Sequence, residues 1–194
     1  MIELNESTIE LLHNLNLSEN YQNVSLQTLE EGGSRYVRDL KVNLNNTLAS
    51  EHLNEKETAL LALSLAANLK NTVLIEYFRG HATEQGASAE EIAEGIACAS
   101  LLAANNVFYR FRHFLQKEKY NQMPGRIKMN IMMKPVTGKE FFELMSLAIS
   151  AVNGCEMCVK SHESSLLALG STEERIFDAI RLSAVVSSLD RVIY

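Results

Sequence analysis

The chain contains 194 residues, 46% of them hydrophobic, and carries a formal net charge of −6. This length suffices for one sizeable core, so residues 1–194 are expected to form a single domain. The net negative charge gives no sign of a nucleic-acid-binding surface. No apolar run approaches the length of a membrane-spanning helix. The N-terminus lacks the basic start and apolar stretch of a secretory signal, so we expect a cytoplasmic protein with no nucleic-acid or membrane partner.

Apolar residues recur about every 3.6 residues along most of the chain, which predicts an all-α fold. Residues 1–34 are expected to form an N-terminal extension with a helix that packs on the body through Ile9, Leu11, Leu12 and Leu15. Helical periodicity is lost over 120–136, which contains both prolines, so this segment is predicted to be a connector. The other predicted helices are 35–48, 53–69, 72–85, 89–104, 107–119, 139–152, 155–169 and 172–188.

The two halves of the body resemble each other weakly. A shift of 82 residues aligns Ser64-Leu65-Ala66 with Ser146-Leu147-Ala148, and a shift of 83 aligns the Ser88 and Ser171 helix starts. We therefore predict an internal duplication of a helical unit, with 53–119 as the first repeat and 137–194 as the second. Chance agreement of helix starts is the alternative explanation. The first repeat lacks the cysteine pair described next, so chemistry is expected only in the second.

The sequence Cys155-x-x-Cys158-x-x-x-His162 follows directly after Gly154. A glycine after a helical run is a stop signal, so a new helix is predicted to begin near Cys155 and to carry Cys158 and His162 on its next turns. At this spacing the two cysteines are close enough for a disulfide, and His162 is within reach of the Cys158 sulfur. Because thiols stay reduced in the cytoplasm, the pair is predicted to be catalytic or metal-binding rather than a permanent structural bridge.

Two thiols and a base are the groups that peroxide reduction requires. One thiolate would be oxidised to a sulfenic acid, and the second thiol would condense with it to form a disulfide. The start of a helix favours a thiolate at Cys155, and His162 would serve Cys158 as a general base.

Glu143 is predicted to join this group. It lies roughly 15 Å before the turn at Asn153, and His162 lies about 12 Å after it, at about 1.5 Å per residue. If the two helices run antiparallel, the carboxylate of Glu143 should face His162, which would fix the imidazole tautomer.

Several stretches resemble the alkyl hydroperoxide reductase AhpD family, within the carboxymuconolactone decarboxylase-like superfamily. The stretches are 36–44, 105–110, 130–132, 141–144 and the segment 150–163 with the cysteine motif. The resemblance implies an all-α, AhpD-like helical bundle with an internal duplication, assembled as a homotrimer. It also implies an antioxidant enzyme that reduces alkyl hydroperoxides, with the peroxiredoxin AhpC and a lipoylated carrier protein as partners. The dihydrolipoyl group of that carrier would be the reductant, and no tightly bound cofactor or metal is implied.

By this resemblance, Glu143, Cys155, Cys158 and His162 are the catalytic residues. Cys158 would attack the peroxide, and Cys155 would resolve the product into a redox-active disulfide. One position departs from the family pattern, because Met157 stands where close relatives have a second histidine. Methionine neither donates nor accepts a proton in such a relay, so we predict a working site that is slower than its relatives.

Other interpretations of the motif are an inert buried cysteine pair and a zinc site. The motif supplies three zinc ligands, and a closed site needs a fourth, so convergence of another ligand would decide the point. The alternative function is therefore a non-enzymatic, thiol- or zinc-binding oligomeric module. A thioredoxin fold lacks the expected β-α-β context, and the lactone or decarboxylase chemistry of the wider superfamily does not call for a dithiol.

Three other features are predicted to be structural. Cys98 lies in an apolar helix and is expected to be a small buried residue. Asn105 and Asn106 are expected to line an interior polar patch or cap a helix. The aromatic residues from Phe108 to Phe114 are predicted to belong to the core or a subunit contact rather than to a peroxide-binding wall.

Overall fold

A computed structural model describes residues 4–194 and shows an all-α fold, as predicted; these residues contain no β-strand. A short 3₁₀ turn, Asn130–Met133, precedes the eighth α-helix. The helices are α1 (Glu6–Asn14), α2 (Val24–Glu31), α3 (Tyr36–Leu48), α4 (Glu55–Leu69), α5 (Thr72–Glu84), α6 (Ala89–Leu115), α7 (Glu118–Gln122), α8 (Lys139–Val152), α9 (Glu156–Ala168) and α10 (Glu173–Leu189).

Polar side chains define where several of these helices begin. Asn54 and Ser88 each form a capping box, with Glu57 and Glu91 respectively, and Thr172 accepts a hydrogen bond from the Arg175 amide. These contacts satisfy amide groups that have no partner inside the helix, and such a cap is typically worth about 1 kcal/mol. Local sequence therefore accounts for the starts of α4, α6 and α10.

Helices α4 and α8 form the centre of the bundle. Residues 58–66 of α4 and 141–150 of α8 are buried without interruption, and the two helices contact each other. A helix that is apolar nearly all round is covered on every side. Accordingly, α5, α6 and α10 pack on α4, while α6, α9 and α10 pack on α8. The site described below therefore rests on a helix that is buried throughout residues 141–150.

The helical pattern of the second unit repeats that of the first. A spacing of 84 residues separates the first residues of α4, α5 and α6 from those of α8, α9 and α10. Each unit consists of a helical hairpin followed by a third helix that packs on the hairpin's first helix. The spacing is one or two residues longer than the sequence alignment predicts. The repeat bounds 53–119 and 137–194 and a common origin of the two units stay predictions.

The predicted break between helices 89–104 and 107–119 is wrong, because α6 is continuous from Ala89 to Leu115. Asn105 and Asn106 lie inside this helix, and their side chains bond to groups on other elements instead of competing for the helix backbone. Tertiary contacts thus override the local tendency of two consecutive asparagines to interrupt a helix. By length and mean hydropathy α6 resembles a membrane-spanning helix, but in the bundle it packs against α4, α8 and α9.

The predicted connector 120–136 contains the end of α7 and the 3₁₀ turn. Its C-terminal end is fixed by the buried carboxylate of Glu94, which accepts hydrogen bonds from the amides of Val136 and Thr137, both at 2.7 Å. The Thr137 hydroxyl donates to the same carboxylate at 2.6 Å. The connector is therefore held against α6.

The N-terminal extension contains two helices rather than one. In α1 the predicted apolar residues Leu11 and Leu12 are fully buried, and Leu15 follows directly after the helix, also buried. Helix α2 was not predicted, because only Leu26 among its residues is buried and its apolar pattern is correspondingly weak. Residues 1–3 of the predicted extension lie outside the described part of the chain.

Candidate active site

The cysteine motif begins at a tight turn between α8 and α9. Gly154 has a φ of +68°, in the left-handed region that favours glycine, and the Cys155 amide donates to the Ser150 carbonyl at 3.0 Å. Cys155 is the N-cap of α9, so the helix begins at Glu156, one residue later than predicted. This turn reverses the chain and packs α9 back along α8.

Cys155 and Cys158 form a disulfide, with their Cα atoms 5.3 Å apart. The structure therefore represents the oxidised form of the pair, at the separation that the helical spacing predicts. Cys155 is 1% exposed and Cys158 7% exposed, so neither sulfur lies on an open surface. Any substrate must reach them through a recess in the protein.

Such a recess lies beside the disulfide as a cavity of about 360 Å³. Cys158 lines it and Cys155 does not. Its wall is mostly apolar and includes Leu102 and three methionines, Met129, Met132 and Met157. A small, mostly apolar cavity with a few polar groups is the usual form of a site for a small molecule.

The polar groups of the cavity include His162, which lies on α9 one turn after Cys158. The Nδ1 atom of His162 is 2.6 Å from Oε2 of Glu143, a buried residue of α8. The predicted contact between Glu143 and His162 is therefore present. The structure thus connects the buried carboxylate to the cavity through the imidazole.

Glu143 is held in its ionised form. Burial opposes ionisation of its carboxyl group, but hydrogen bonds from His162 and Lys139 outweigh this effect and hold the pKa of Glu143 below its ordinary value. The Lys139 ammonium is 2.9 Å from Oε1. Because an ionised carboxylate only accepts, Nδ1 of His162 carries the hydrogen of the shared bond. In the neutral ring Nε2 is then left as the acceptor, which is the tautomer that a general base needs.

A network of amide side chains supports the turn before Cys155. Asn153 exchanges two hydrogen bonds with Asn68, at 2.9 and 3.1 Å, and donates a third to Asn106 at 2.9 Å. Asn106 donates in turn to Ser150 at 2.9 Å. The guanidinium of Arg110 donates to the Asn153 carbonyl at 2.5 Å. Helix α6 therefore fixes the turn that positions the cysteine pair.

These supporting contacts were only partly predicted. The expected interior polar patch is present around Asn106, whereas Asn105 lies on the wall of the mostly apolar cavity. No sequence pattern indicated that Arg110 and Asn153 would meet. Tyr109 lies on the cavity wall, so the prediction that the whole aromatic run belongs to the core or a subunit contact is wrong for this residue. Its position follows from the continuous course of α6 past residue 105.

Cys98 is not part of the site. It is fully buried between α6 and α8, where its sulfur lies 3.7 Å from the Ser146 hydroxyl. Burial raises the pKa of the Cys98 thiol to about 12. Because the thiolate is the reactive form, this thiol is inert at neutral pH.

The zinc interpretation requires a fourth ligand near the motif. Within residues 4–194, no group of three or more His, Cys, Asp or Glu side chains is arranged to hold a metal ion. The ligand convergence that would favour a closed zinc site is therefore not found in this part of the chain.

Proteins of similar sequence identify the family of this chain. The Carboxymuconolactone decarboxylase family matches residues 126–194, which include the connector's end and the whole second unit. Alkyl hydroperoxide reductase AhpD from Anaeromyxobacter dehalogenans (strain 2CP-C) is 38% identical over 162 residues, covering 84% of this chain and 87% of the relative. The AhpD proteins of Beijerinckia indica and Coxiella burnetii (strain Dugway 5J108-111) are 35% and 36% identical, covering 85% and 86% of this chain and 91% and 96% of the relatives. The chain therefore belongs to the alkyl hydroperoxide reductase AhpD family.

Proposed function

We propose that this protein is an antioxidant enzyme that reduces alkyl hydroperoxides, or the disulfide of a partner peroxiredoxin, through a dithiol-disulfide cycle of Cys155 and Cys158. The similar relatives carry the name alkyl hydroperoxide reductase, which supports a peroxide-reducing function. The observation that carries the finer proposal is the cavity, because it reaches one sulfur of the pair and the imidazole of His162 together.

In the first step the Cys158 thiolate attacks the terminal oxygen of the hydroperoxide. A sulfur-oxygen bond forms, the oxygen-oxygen bond breaks, and the alcohol leaves with one proton, so Cys158 becomes a sulfenic acid. Cys158 is assigned this role because it lines the cavity and Cys155 does not. His162 takes the thiol proton at Nε2 and returns it to the departing alkoxide.

In the second step the Cys155 thiol attacks the sulfenic sulfur of Cys158. The sulfur-sulfur bond forms, the sulfur-oxygen bond breaks, and water leaves. A Cα separation of 5.3 Å allows this reaction without movement of the backbone. The hydrogen bonds that hold the turn at Asn153 keep Cys155 in position for it.

The disulfide is then reduced by a second dithiol, for which we propose the dihydrolipoyl group of a carrier protein. Thiol-disulfide exchange needs only an accessible sulfur and a thiolate, so no tightly bound cofactor is required. We further propose a cytoplasmic homotrimer that works with the peroxiredoxin AhpC. The exposed aromatic residues near the end of α6, with Phe114 71% exposed, support a subunit contact there.

The test is consumption of tert-butyl hydroperoxide with dihydrolipoamide as reductant, measured for the native chain and for Cys158→Ser. We expect turnover by the native chain and none by the variant, with circular dichroism showing that both are folded. No turnover by folded, metal-free native protein would refute the peroxidase. Bound zinc in the protein as isolated would instead favour the non-enzymatic, metal-binding alternative.

A further inference from the structure

Methionine is concentrated around the disulfide. The chain has seven methionines, and three of them, Met129, Met132 and Met157, line the same cavity as Cys158. Met157 lies directly before Cys158 in the sequence, while the other two approach from the connector. Two further methionines of the connector, Met123 and Met133, are 52% and 82% exposed and lie outside the cavity.

A thioether in a peroxide-binding cavity is exposed to oxidation. A hydroperoxide transfers one oxygen atom to the sulfur, which leaves the alcohol and a methionine sulfoxide. The sulfoxide is polar, so it would make the mostly apolar wall of the cavity less suited to binding the substrate. A site that meets hydroperoxides repeatedly therefore needs a way to reverse this damage.

We propose that the Cys155/Cys158 dithiol reduces methionine sulfoxides formed in the wall of its own cavity, at Met129, Met132 and Met157. This second activity rests on the proposed function in two respects: hydroperoxide enters the cavity, and the pair cycles between dithiol and disulfide.

The reaction balances within the site. The Cys158 thiolate attacks the sulfoxide sulfur, takes over its oxygen and becomes a sulfenic acid, and the thioether is restored. The Cys155 thiol then closes the disulfide and releases water. The sulfoxide gains two electrons and the two thiols lose two, so the net products are methionine, disulfide and water. His162, which lines the same cavity, is placed to protonate the sulfoxide oxygen.

The dimensions of the cavity favour this reaction. At about 360 Å³ it lies at the small end of ligand cavities, so a group on one wall stays close to groups on the other. Methionine has three rotatable bonds and adjusts its position more readily than branched side chains. The Cys158 sulfur is thus presented to nearby sulfoxides at a high effective concentration.

Asn105 provides a donor for one of these sulfoxides. Its Nδ2 lies 3.2 Å from the Met129 sulfur, and its Oδ1 has no hydrogen-bond partner among the described residues. A thioether sulfur is a weak acceptor, so this buried amide is poorly satisfied in the present structure. A sulfoxide oxygen on Met129 is a stronger acceptor for the same NH₂ group. The amide would therefore hold oxidised Met129 inside the cavity.

The experiment follows each sulfoxide separately. The native protein is oxidised with excess tert-butyl hydroperoxide, freed of peroxide by gel filtration, and treated with dithiothreitol. Samples are quenched over time with N-ethylmaleimide and digested, and tandem mass spectrometry measures the sulfoxide at each methionine. Met123 and Met133 serve as internal controls because they lie outside the cavity.

We expect the cavity sulfoxides to disappear at least about tenfold faster than those at Met123 and Met133, because the reducing thiol is intramolecular. In Cys158→Ser the cavity sulfoxides should persist. Cys155→Ser should also keep its cavity sulfoxides, because without a resolving thiol the excess hydroperoxide oxidises Cys158 to a sulfinic acid that dithiothreitol does not reduce. Circular dichroism of both variants checks that a serine in the motif is tolerated.

Three results would overturn the inference: persistence of the cavity sulfoxides in native protein, their equal loss in Cys158→Ser, or oxidation of Met123 and Met133 without oxidation of any cavity methionine. Because the reductant is dithiothreitol, these results are independent of dihydrolipoamide turnover. Failure of the repair and failure of the proposed peroxidase can therefore be told apart.

Discussion

Glu143 and His162 lie on antiparallel neighbouring helices and are joined by a 2.6 Å hydrogen bond between Oε2 and Nδ1. The carboxylate is buried on α8, whereas the imidazole reaches the cavity beside Cys158. A buried charge next to an imidazole fixes the ring's tautomer and stabilises the imidazolium that forms when the ring takes a proton. We therefore propose that Glu143 is a positioning residue that acts through His162.

Glu143→Gln should lower kcat/KM for an alkyl hydroperoxide by about a hundredfold, which is the lower end of what general acid-base catalysis contributes. The neutral amide can neither stabilise the imidazolium nor select the tautomer with a free Nε2. Peroxide-dependent oxidation of the dithiol, followed by stopped flow, measures the effect.

Glu140→Gln provides the matched control on the same helix. Glu140 bonds to Arg175 and Ser171, away from the cavity, and these groups also hold its pKa below the ordinary value despite burial, which opposes ionisation. This variant should lose stability and keep its rate of reaction with peroxide. An equal loss of rate in both variants would mean that Glu143 acts only through folding.

The lowered pKa of Glu143 also predicts how stability changes in acid. Since the folded-state pKa lies below the unfolded-state value, the ionised carboxylate stabilises the fold at any pH above the unfolded value of about 4.3. This contribution is lost as the pH falls through the folded-state pKa.

The stability difference between native protein and Glu143→Gln should therefore shrink as the pH falls below about 4.3. Urea unfolding at a series of pH values measures it. A difference that does not change with pH would contradict the assignment of the ionised form.

The contact between Glu143 and His162 could be predicted from the sequence because it depends only on the helical rise per residue and on the position of the turn. A helix rises by a fixed amount per residue, and Asn153-Gly154 marks the reversal, so residues at similar distances on either side of the turn must meet. The boundaries of α8 were likewise predicted from its strong apolar pattern and agree with the structure. Local signals of this kind determine the hairpin that carries the motif.

The support of the turn could not be predicted, since it depends on how α6 packs against the hairpin. Asn106 and Arg110 lie one helical turn apart on α6. Both form hydrogen bonds with Asn153, which lies at the end of α8. In the sequence, Asn105-Asn106 indicates a helix break as readily as an interior network. The cavity wall could not be predicted either, because Met129 and Met132 reach it only through the path that the connector takes.

Arg110→Met should loosen this turn. The variant loses a hydrogen bond from a charged group to the Asn153 carbonyl, which we expect to lower the free energy of unfolding by about 2 kcal/mol. With Cys155 less well positioned, the disulfide should form less favourably and be reduced faster by dithiothreitol. Hydrogen exchange at residues 154–156 should also increase.

Arg112→Met is the control for the loss of a positive charge from the same helix. Arg112 stacks on Phe108 at 4.4 Å and donates to the Met123 carbonyl, so it does not contact the turn. Hydrogen exchange at residues 154–156 of this variant should match that of the native protein. Equal changes in both variants would show that net charge, and not the contact with Asn153, controls the turn.

Cys98→Ala should leave peroxide reduction unchanged and lower the free energy of unfolding by about 1 kcal/mol, because it removes one buried atom. The raised pKa of this thiol also predicts its behaviour toward iodoacetamide. In reduced, folded protein, Cys158, which lines the cavity, should be alkylated, and Cys98 should react only after unfolding. Rapid alkylation of Cys98 in the folded state would contradict its assignment as an inert core residue.

Met157→His tests whether the departure from the family pattern limits the rate. Met157 lines the cavity directly before Cys158, so an imidazole at this position would stand beside the sulfur that we propose to attack the peroxide and could exchange protons with it. We expect a faster reaction with hydroperoxide and a lower thiol pKa, measured by thiolate absorbance during a pH titration. Met133→His, at an exposed position outside the cavity, should change neither quantity. If Met157→His folds normally and reacts no faster, the thioether is not what limits this site, and its place beside Cys158 must be explained by the shape of the cavity or by the sulfoxide chemistry proposed above.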